Sequence, residues 1–330
     1  MKFLYCSLRT ALLASMFFAG TASAQAADPS IQYPSKTIHF VVPVAPGGLT
    51  DILGRALAER LQKRLGQTVV VENKGGAGGV VGTVAVASAP ADGHTLLMTF
   101  LGPAAVRQAL GSNTPYDTLR DFVPVSAVAQ FPMLLVVGSD LPVKNLAEFI
   151  DLAKSKPGEL SYASAGVGST ANLVGELFKR DAGVDLLHTP YKGEAAGMID
   201  VIAGRVSSAW MSSSVAQPQI EQGKLRVLGI ANKERHSGTP DIPTIAEGGV
   251  EGFNFAGWYG VLVPAGTPQP IVEKLSKEFQ SIVNDPEMTS IYAKYGIDQY
   301  AHGHEHFDSL IKEEIQKWRQ LGADTGFKLD

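Results

Sequence analysis

The sequence predicts an α/β protein of two domains, each a mostly parallel sheet flanked by helices. First, short β-branched runs alternate from Asp28 onward with longer stretches of 3.6-residue apolar period, as parallel strands with covering helices require. Second, two glycine turns, Pro46-Gly47-Gly48 and Ala165-Gly166-Val167-Gly168, each lead from a strand into a helix. Third, Phe131-Pro132-Met133-Leu134 and Gly257-Trp258-Tyr259-Gly260 read as crossings between domains. Residues 131–255 then form an inserted domain, and residues 28–130 with 256–330 form the other. A double crossing makes a hinge around a cleft.

Taken in order, residues 1–24 read as a secretory leader: Lys2 and Arg9, an apolar run from Ala11 to Gly20, then Ala22-Ser23-Ala24 ahead of a cut before Gln25. The run is shorter than the roughly 20 residues of a permanent span, so an exported, periplasmic protein is expected. Strands are expected at Ile38 to Pro43, Thr68 to Glu72, Thr95 to Phe100, Met133 to Val137, Leu160 to Ser164, Leu225 to Ile230 and Trp258 to Val263. One helical face is made by Ile52, Leu53, Ala56, Leu57, Leu61 and Leu65, and a later one by Val272, Leu275, Phe279, Ile282 and Val283. The last helix, through Phe307, Leu310, Ile311, Ile315, Trp318 and Leu321, is expected to dock on the body as a closing strap.

The chain of 330 residues carries 28 Lys and Arg against 32 Asp and Glu, a formal charge of -4. The leader holds two basic and no acidic residues, so its removal takes the charge to -6. That balance gives no support for nucleic-acid or anionic-membrane binding. The single cysteine, Cys6, lies in the leader, so the mature chain has neither disulfides nor cysteine metal sites.

Chemistry concentrates at the glycine turns. Val44 to Asp51 ends a strand and starts an amphipathic helix whose unpaired N–H groups and positive dipole end favour an anion. No Gly-Lys-Ser/Thr follows, as a nucleotide triphosphate would want. The second turn, from Ser164 through Ala165 and Gly168, delivers Ser169, Thr170 and Asn172; the plainer alternative is a simple helix cap by Ser169 or Thr170. Asp51, in a first helical turn, is read as ordering water or holding its loop. Gly75 to Gly82 fails the dinucleotide register at Val81 and reads as a turn packed close to the neighbouring loop. His302, His304 and His306 are expected to splay from a helix start onto a solvated surface, and no metal or cofactor is expected. Ser309-x-x-Lys312 is a chance match, and His188, before Tyr191-Lys192-Gly193, reads as a half-buried strand-end histidine.

The stretches PSKTIHFVVPVAPGGLTDILGRALAERLQKRLGQTVVVENKGGAGG, ADGHTLLM, YDTLRDFVPVS, SYASAGVGSTANLVGELFK, HTPYKG, GKLRVLGIAN, PDIPTIAEGGVEGF and WYGVLVPAGTPQPIVEKL resemble the substrate-binding proteins of tripartite tricarboxylate transporters, the Bug family. The resemblance runs from about Tyr33 to the last helix. It implies a type II periplasmic binding protein, a Venus flytrap that is not an enzyme, needs no cofactor and delivers a small-molecule carboxylate to membrane transporter subunits. A monomer is expected. The resemblance implies that the carboxylate is held by Val44, Pro46, Gly47, Gly48, Leu49, Thr50 and Asp51 on one side. On the other stand Ser164, Ala165, Gly168, Ser169, Thr170 and Asn172, with Leu101 and Gly102 of Thr99-Phe100-Leu101-Gly102 adding a wall.

Three positions depart from the family. Many members carry an aromatic residue at Val44, a histidine at Asn172, and a Phe-Asp pair at Trp210-Met211. Losing that acid and gaining Trp210, Met211 and Ser212 to Ser214 predicts an apolar distal pocket. Such a pocket suits an aromatic dicarboxylate of the phthalate or terephthalate type over an amino acid, with an aliphatic di- or tricarboxylate or a sensor role as alternatives. Trp258 is a candidate stacking face, and Trp210 has core filling as its alternative.

Overall fold

In the computed structural model, the described residues are 33–329 apart from Ser112, Lys192 and Ser237; the expected leader lies outside them. The chain runs from β1 (Ile38–Val42) through α1 (Leu49–Leu65) to β2 (Val69–Asn73), then α2 (Val80–Ala87) and β3 (Thr95–Phe100). These strands pair in parallel, with β1 between β2 and β3. Leu53, Leu57 and Leu61 of α1 are buried beneath it. A π-helical turn at Gly102–Val106 leads into α3 (Arg107–Leu110), followed by α4 (Thr118–Asp121) and β4 (Phe122–Phe131). Through Pro132, β4 passes directly into β5 (Met133–Gly138).

The next part of the chain forms α5 (Leu146–Ser155), β6 (Ser161–Ser164), α6 (Thr170–Ala182), β7 (Leu187–Pro190), α7 (Glu194–Ile202), β8 (Ser208–Ser212), α8 (Ser213–Glu221) and β9 (Leu225–Ile230). It then returns as β10 (Gly257–Pro264), α9 (Gln269–Val283), α10 (Pro286–Tyr295), β11 (Asp298–His302) and α11 (His304–Thr325). A six-stranded sheet has the order β11-β4-β10-β3-β1-β2, and a five-stranded sheet the order β7-β6-β8-β5-β9.

Both sheets are mixed, which corrects the mostly parallel expectation. Strands β4, β10 and β11 pair antiparallel, as does β5 with both of its neighbours. The direct step from β4 to β5 instead carries the chain from the six-stranded to the five-stranded sheet. Four strands escaped the sequence reading. β4 is interrupted by Pro124 and shifts register against β10, β7 is four residues long with both ends exposed, β8 is flanked by serines, and β11 is a polar edge strand.

Helix α11 buries Phe307, Ile311, Ile315, Trp318 and Leu321. It packs on β4 and α3 of one body and touches α6 of the other. One core cluster continues from Trp318 through Phe255 to Trp210 and Phe178, joining the two bodies behind the loops described next.

Candidate functional site

After β1 the chain turns at buried Pro43 and reaches Gly47, whose φ of +94° is open to glycine and strained for other residues. Gly48 caps α1 without a side chain. The N–H groups of Leu49, Thr50 and Asp51 have no protein acceptor among the described residues, and the first intrahelical bond is Ile52 N–H to Gly48 O. The Asp51 carboxylate is fully occupied by protein: it accepts from Gly47 N–H at 2.9 Å, Asn73 Nδ2 at 2.8 Å and Arg55 Nε at 3.1 Å. Burial alone would raise its pKa, but Arg55, Gly47 N–H and Asn73 together hold it below the ordinary carboxylate value. Asp51 is 3% exposed and holds the turn in shape. Thr50 is buried beside the Tyr259 phenol of β10; burial, with a smaller push from Glu194 and an opposing pull from Thr50, raises that phenol to about 12.

After β6 the same plan recurs. Gly168 has φ +75°, and its N–H donates at 2.9 Å to Oδ1 of Asn172, four residues on, as Gly47 does to Asp51. Asn172 Nδ2 donates to Tyr162 Oη at 2.9 Å, so this buried amide is also spent on the protein. Ser169 caps α6 by accepting from Asn172 N–H, while Thr170 and Ala165 stand half-buried on the turn. Ser164 is turned inward, bonded within its own loop to Gly166 and lying 2.6 Å from His188 Nε2. His188 stacks on Tyr162, and burial lowers its pKa.

One cavity of about 540 Å³ is lined by Pro43, Val44 and Ala45, which lead into the first turn, with Gly102 beside them, and by Gly168 and Ser169 of the second turn; residues Pro46 to Asp51 and Thr170 are not among its lining. Pro46, Gly47 and Gly48 are exposed on the first turn, and Leu49 is half-buried. Phe100, of the expected wall, lines the cavity, and so do residues outside the sequence reading of the site: Gly76, Gly78, Gly79, Arg107, Val167 and Leu329. The glycine run does pack close to its neighbour, since a Cβ on Gly75 would stand 3.0 Å from the backbone of Val44 and Ala45. That close approach is also what brings the run to the cavity, so a dense glycine run beside a helix-start loop was the available signal.

The expected apolar distal pocket needs correction. Trp210 and Met211 are each 1% exposed; Trp210 stacks on Phe253 and meets Phe178 edge-on, so it fills core. Leu101 is likewise core. Trp258 is buried edge-on against Phe307 and borders a different groove of about 650 Å³, between Asn232 to His236 and α11. Nor is the region without an acid. Ser212 donates both N–H and Oγ–H to Oε2 of Glu194, at 3.0 and 2.7 Å, and burial raises the Glu194 pKa against those bonds. An acidic residue directly after Gly193 at a helix start was the overlooked sign. Ser213 is buried, and Ser214 is exposed at the start of α8.

The histidines also differ from expectation. Because His302 closes a strand instead of lying on a helix, its ring stacks on His306 at 4.1 Å between centroids, and Tyr300 Oη lies 2.7 Å from His306 Nε2. Among the described residues no group of three or more His, Cys, Asp or Glu converges as a metal shell.

A family model described as the tripartite tricarboxylate transporter family receptor matches residues 53–327. Protein BugT of Bordetella pertussis is 36% identical over 322 residues, covering 97% of this chain and 99% of that protein. A solved R. palustris protein with adipate is 33% identical with a TM-score of 0.76, over 89% of this chain and 98% of that one. MatC from Rhodopseudomonas palustris with bound malate is 32% identical with a TM-score of 0.72, over 88% and 99% respectively.

Proposed function

The chain belongs to the tripartite tricarboxylate transporter receptor family, and from that premise we propose that it captures a small organic carboxylate between the turns after β1 and β6 and hands it to the membrane subunits of such a transporter. The family consists of receptors, not enzymes. One observation carries the reading: the segment that leads into the first glycine turn and the second glycine turn itself line a single cavity, and each turn is tied down by the third residue of its helix. In this reading the ligand carboxylate accepts from the free N–H groups of Leu49, Thr50 and Asp51, and Thr170 and Ser169 meet it from the other body. Charge-assisted hydrogen bonds contribute about 1.5–3 kcal/mol each. Three of them sum to about 4.5–9 kcal/mol before the cost of association, so burial of the ligand body has to add to them to reach micromolar binding, about -8 kcal/mol.

The ligand body lies against Pro43, Val44 and Phe100. An aliphatic acid of short chain is the reading supported by the adipate- and malate-bound relatives. An aromatic dicarboxylate of the phthalate type is the second reading, favoured here by the Phe100 ring in the wall. The bodies formed by residues 28–130 with 256–330 and by 131–255 close on the ligand as a periplasmic monomer, its leader removed. No helix of the described residues is long and apolar enough to cross a membrane.

Thermal-shift screening against aliphatic acids, aromatic mono- and dicarboxylates and amino acids tests this. A concentration-dependent rise in Tm with a carboxylate, the acid recovered unchanged, is expected. Silence with every acid, or chemical conversion of a bound one, would overturn it.

A further inference from the structure

Arg107 opens α3 just after the π-helical turn, and its side chain reaches the cavity wall opposite the glycine run. A Cβ on Gly78 would stand 3.9 Å from a terminal nitrogen of its guanidinium, so the fork lies across a stretch of bare backbone. Several other arginines are paired with protein: Arg60 and Arg64 hold glutamates, Arg235 chelates Glu247, and Arg226 donates to three carbonyls. The Arg107 guanidinium has no hydrogen-bond or ion-pair partner among the described residues. Around it the wall is apolar, from Phe100, Val167 and Leu329.

A half-buried cation with its planar fork unspent is costly to keep unless something arrives to pair with it. The fork matches a carboxylate in a bidentate manner, and apolar neighbours strengthen such a pair by keeping water away. The cavity thus holds a guanidinium at the start of α3 and, across it, Val44 and Ala45, which lead into the α1 start where the proposed function places the first carboxylate. We propose that Arg107 binds the second acidic group of the ligand and makes this receptor selective for dicarboxylates over monocarboxylates of the same length.

The proposal rests on the carboxylate-receptor reading, and matched pairs separate the two. Calorimetric titration of the protein with adipate and hexanoate, succinate and butyrate, and terephthalate and benzoate gives a diacid-to-monoacid affinity ratio for each pair. The expected ratio is at least tenfold for one pair in the wild type. In Arg107→Met it should fall by about ten- to hundredfold, towards unity, as the loss of a charge-assisted pair implies. Arg107→Lys, which keeps the charge without the fork, should fall between, and circular dichroism of both variants checks the fold. An unchanged ratio in Arg107→Met, or a wild-type ratio near one with good binding of both acids, overturns the role of Arg107 and leaves the receptor reading intact. Failure of the wild type to bind any of the six acids overturns both.

Discussion

In the turn after β1 the Gly47 N–H is held by a carboxylate, Asp51; in the turn after β6 the Gly168 N–H is held by an amide, Asn172. Each holder stands third in the helix that follows and is almost fully buried. The helix starts are finished differently. Ser169 spends its hydroxyl on Asn172 N–H, whereas Gly48 offers α1 nothing, so the first turn leaves more donors open to a ligand. A full negative charge beside the proposed anion site is tolerable because Arg55 and Asn73 neutralise and surround it. In the proposed site the turns thus have different parts: the first an uncapped helix start stiffened by an ionic lock, the second a self-capped one stiffened by a neutral lock.

Breaking each lock gives the largest expected effects. Asp51→Ala removes the acceptor of three side-chain and backbone groups at once. It should destabilise by about 3 kcal/mol, near the upper end for a lost buried acceptor and moderated because Arg55 is half exposed. Carboxylate binding should fall with it, since the turn presenting the α1 N–H groups loses its tie. Asn172→Ala strands Gly168 N–H, while Tyr162 keeps its bond to Glu176, so about 1.5 kcal/mol is expected. Urea denaturation with and without ligand checks both. If Asn172→Ala costs as much as Asp51→Ala, the assignment of ionic and neutral roles fails.

Titration sharpens the same contrast. The Asp51 pKa is held below its ordinary value, so its stabilising contribution is fully present above the unfolded value of about 4 and is lost as pH falls through the lower, folded value. Asp51→Asn, which keeps the shape, should therefore lower Tm relative to wild type at pH 7, with the deficit shrinking progressively as pH falls below about 4. Asn172 does not titrate, so the deficit of Asn172→Ala should stay level over the same range. A pH-independent Asp51→Asn deficit would mean that geometry, not charge, is what the first lock supplies.

Much of this contrast was legible before any coordinates. Glycine turns before amphipathic helices are local patterns, and local chemistry fixes both the turn and the free N–H groups. Asp51 was readable as a loop holder from its place in the first helical turn. What escaped depends on contacts distant in sequence. From the sequence Trp210 is expected to line the pocket, with core filling as its alternative, and it is Phe178 and Phe253, from α6 and the segment before β10, that enclose it in core. Nothing in the sequence singles out Arg107, which the π-helical turn aims over Gly78. Glu194 gains meaning only when Ser212, eighteen residues away, donates to it. The antiparallel strands β4 and β11 were lost for a simpler reason: a proline and polar edge residues erase the strand pattern while the pairing survives.

Converting one turn towards the other gives the smallest and most discriminating effects. Ser169→Ala should cost about 1 kcal/mol, the value of a lost cap, with a modest loss of binding. Gly48→Ser does the opposite at α1. Gly48 has φ -81° and ψ 170°, a cap geometry that serine adopts freely, and a Cβ there meets nothing within 4 Å. The new hydroxyl should cap an α1 N–H and stabilise the fold by a few tenths of a kcal/mol, as gains over glycine at such positions do. The same hydroxyl occupies a donor that the ligand would use, so carboxylate affinity should fall even as Tm of the free protein rises. Opposite signs in these two measurements are what an anion anchor at α1 demands. A variant that gains stability and binds as well as wild type would show that the open N–H groups of α1 are not where the carboxylate sits.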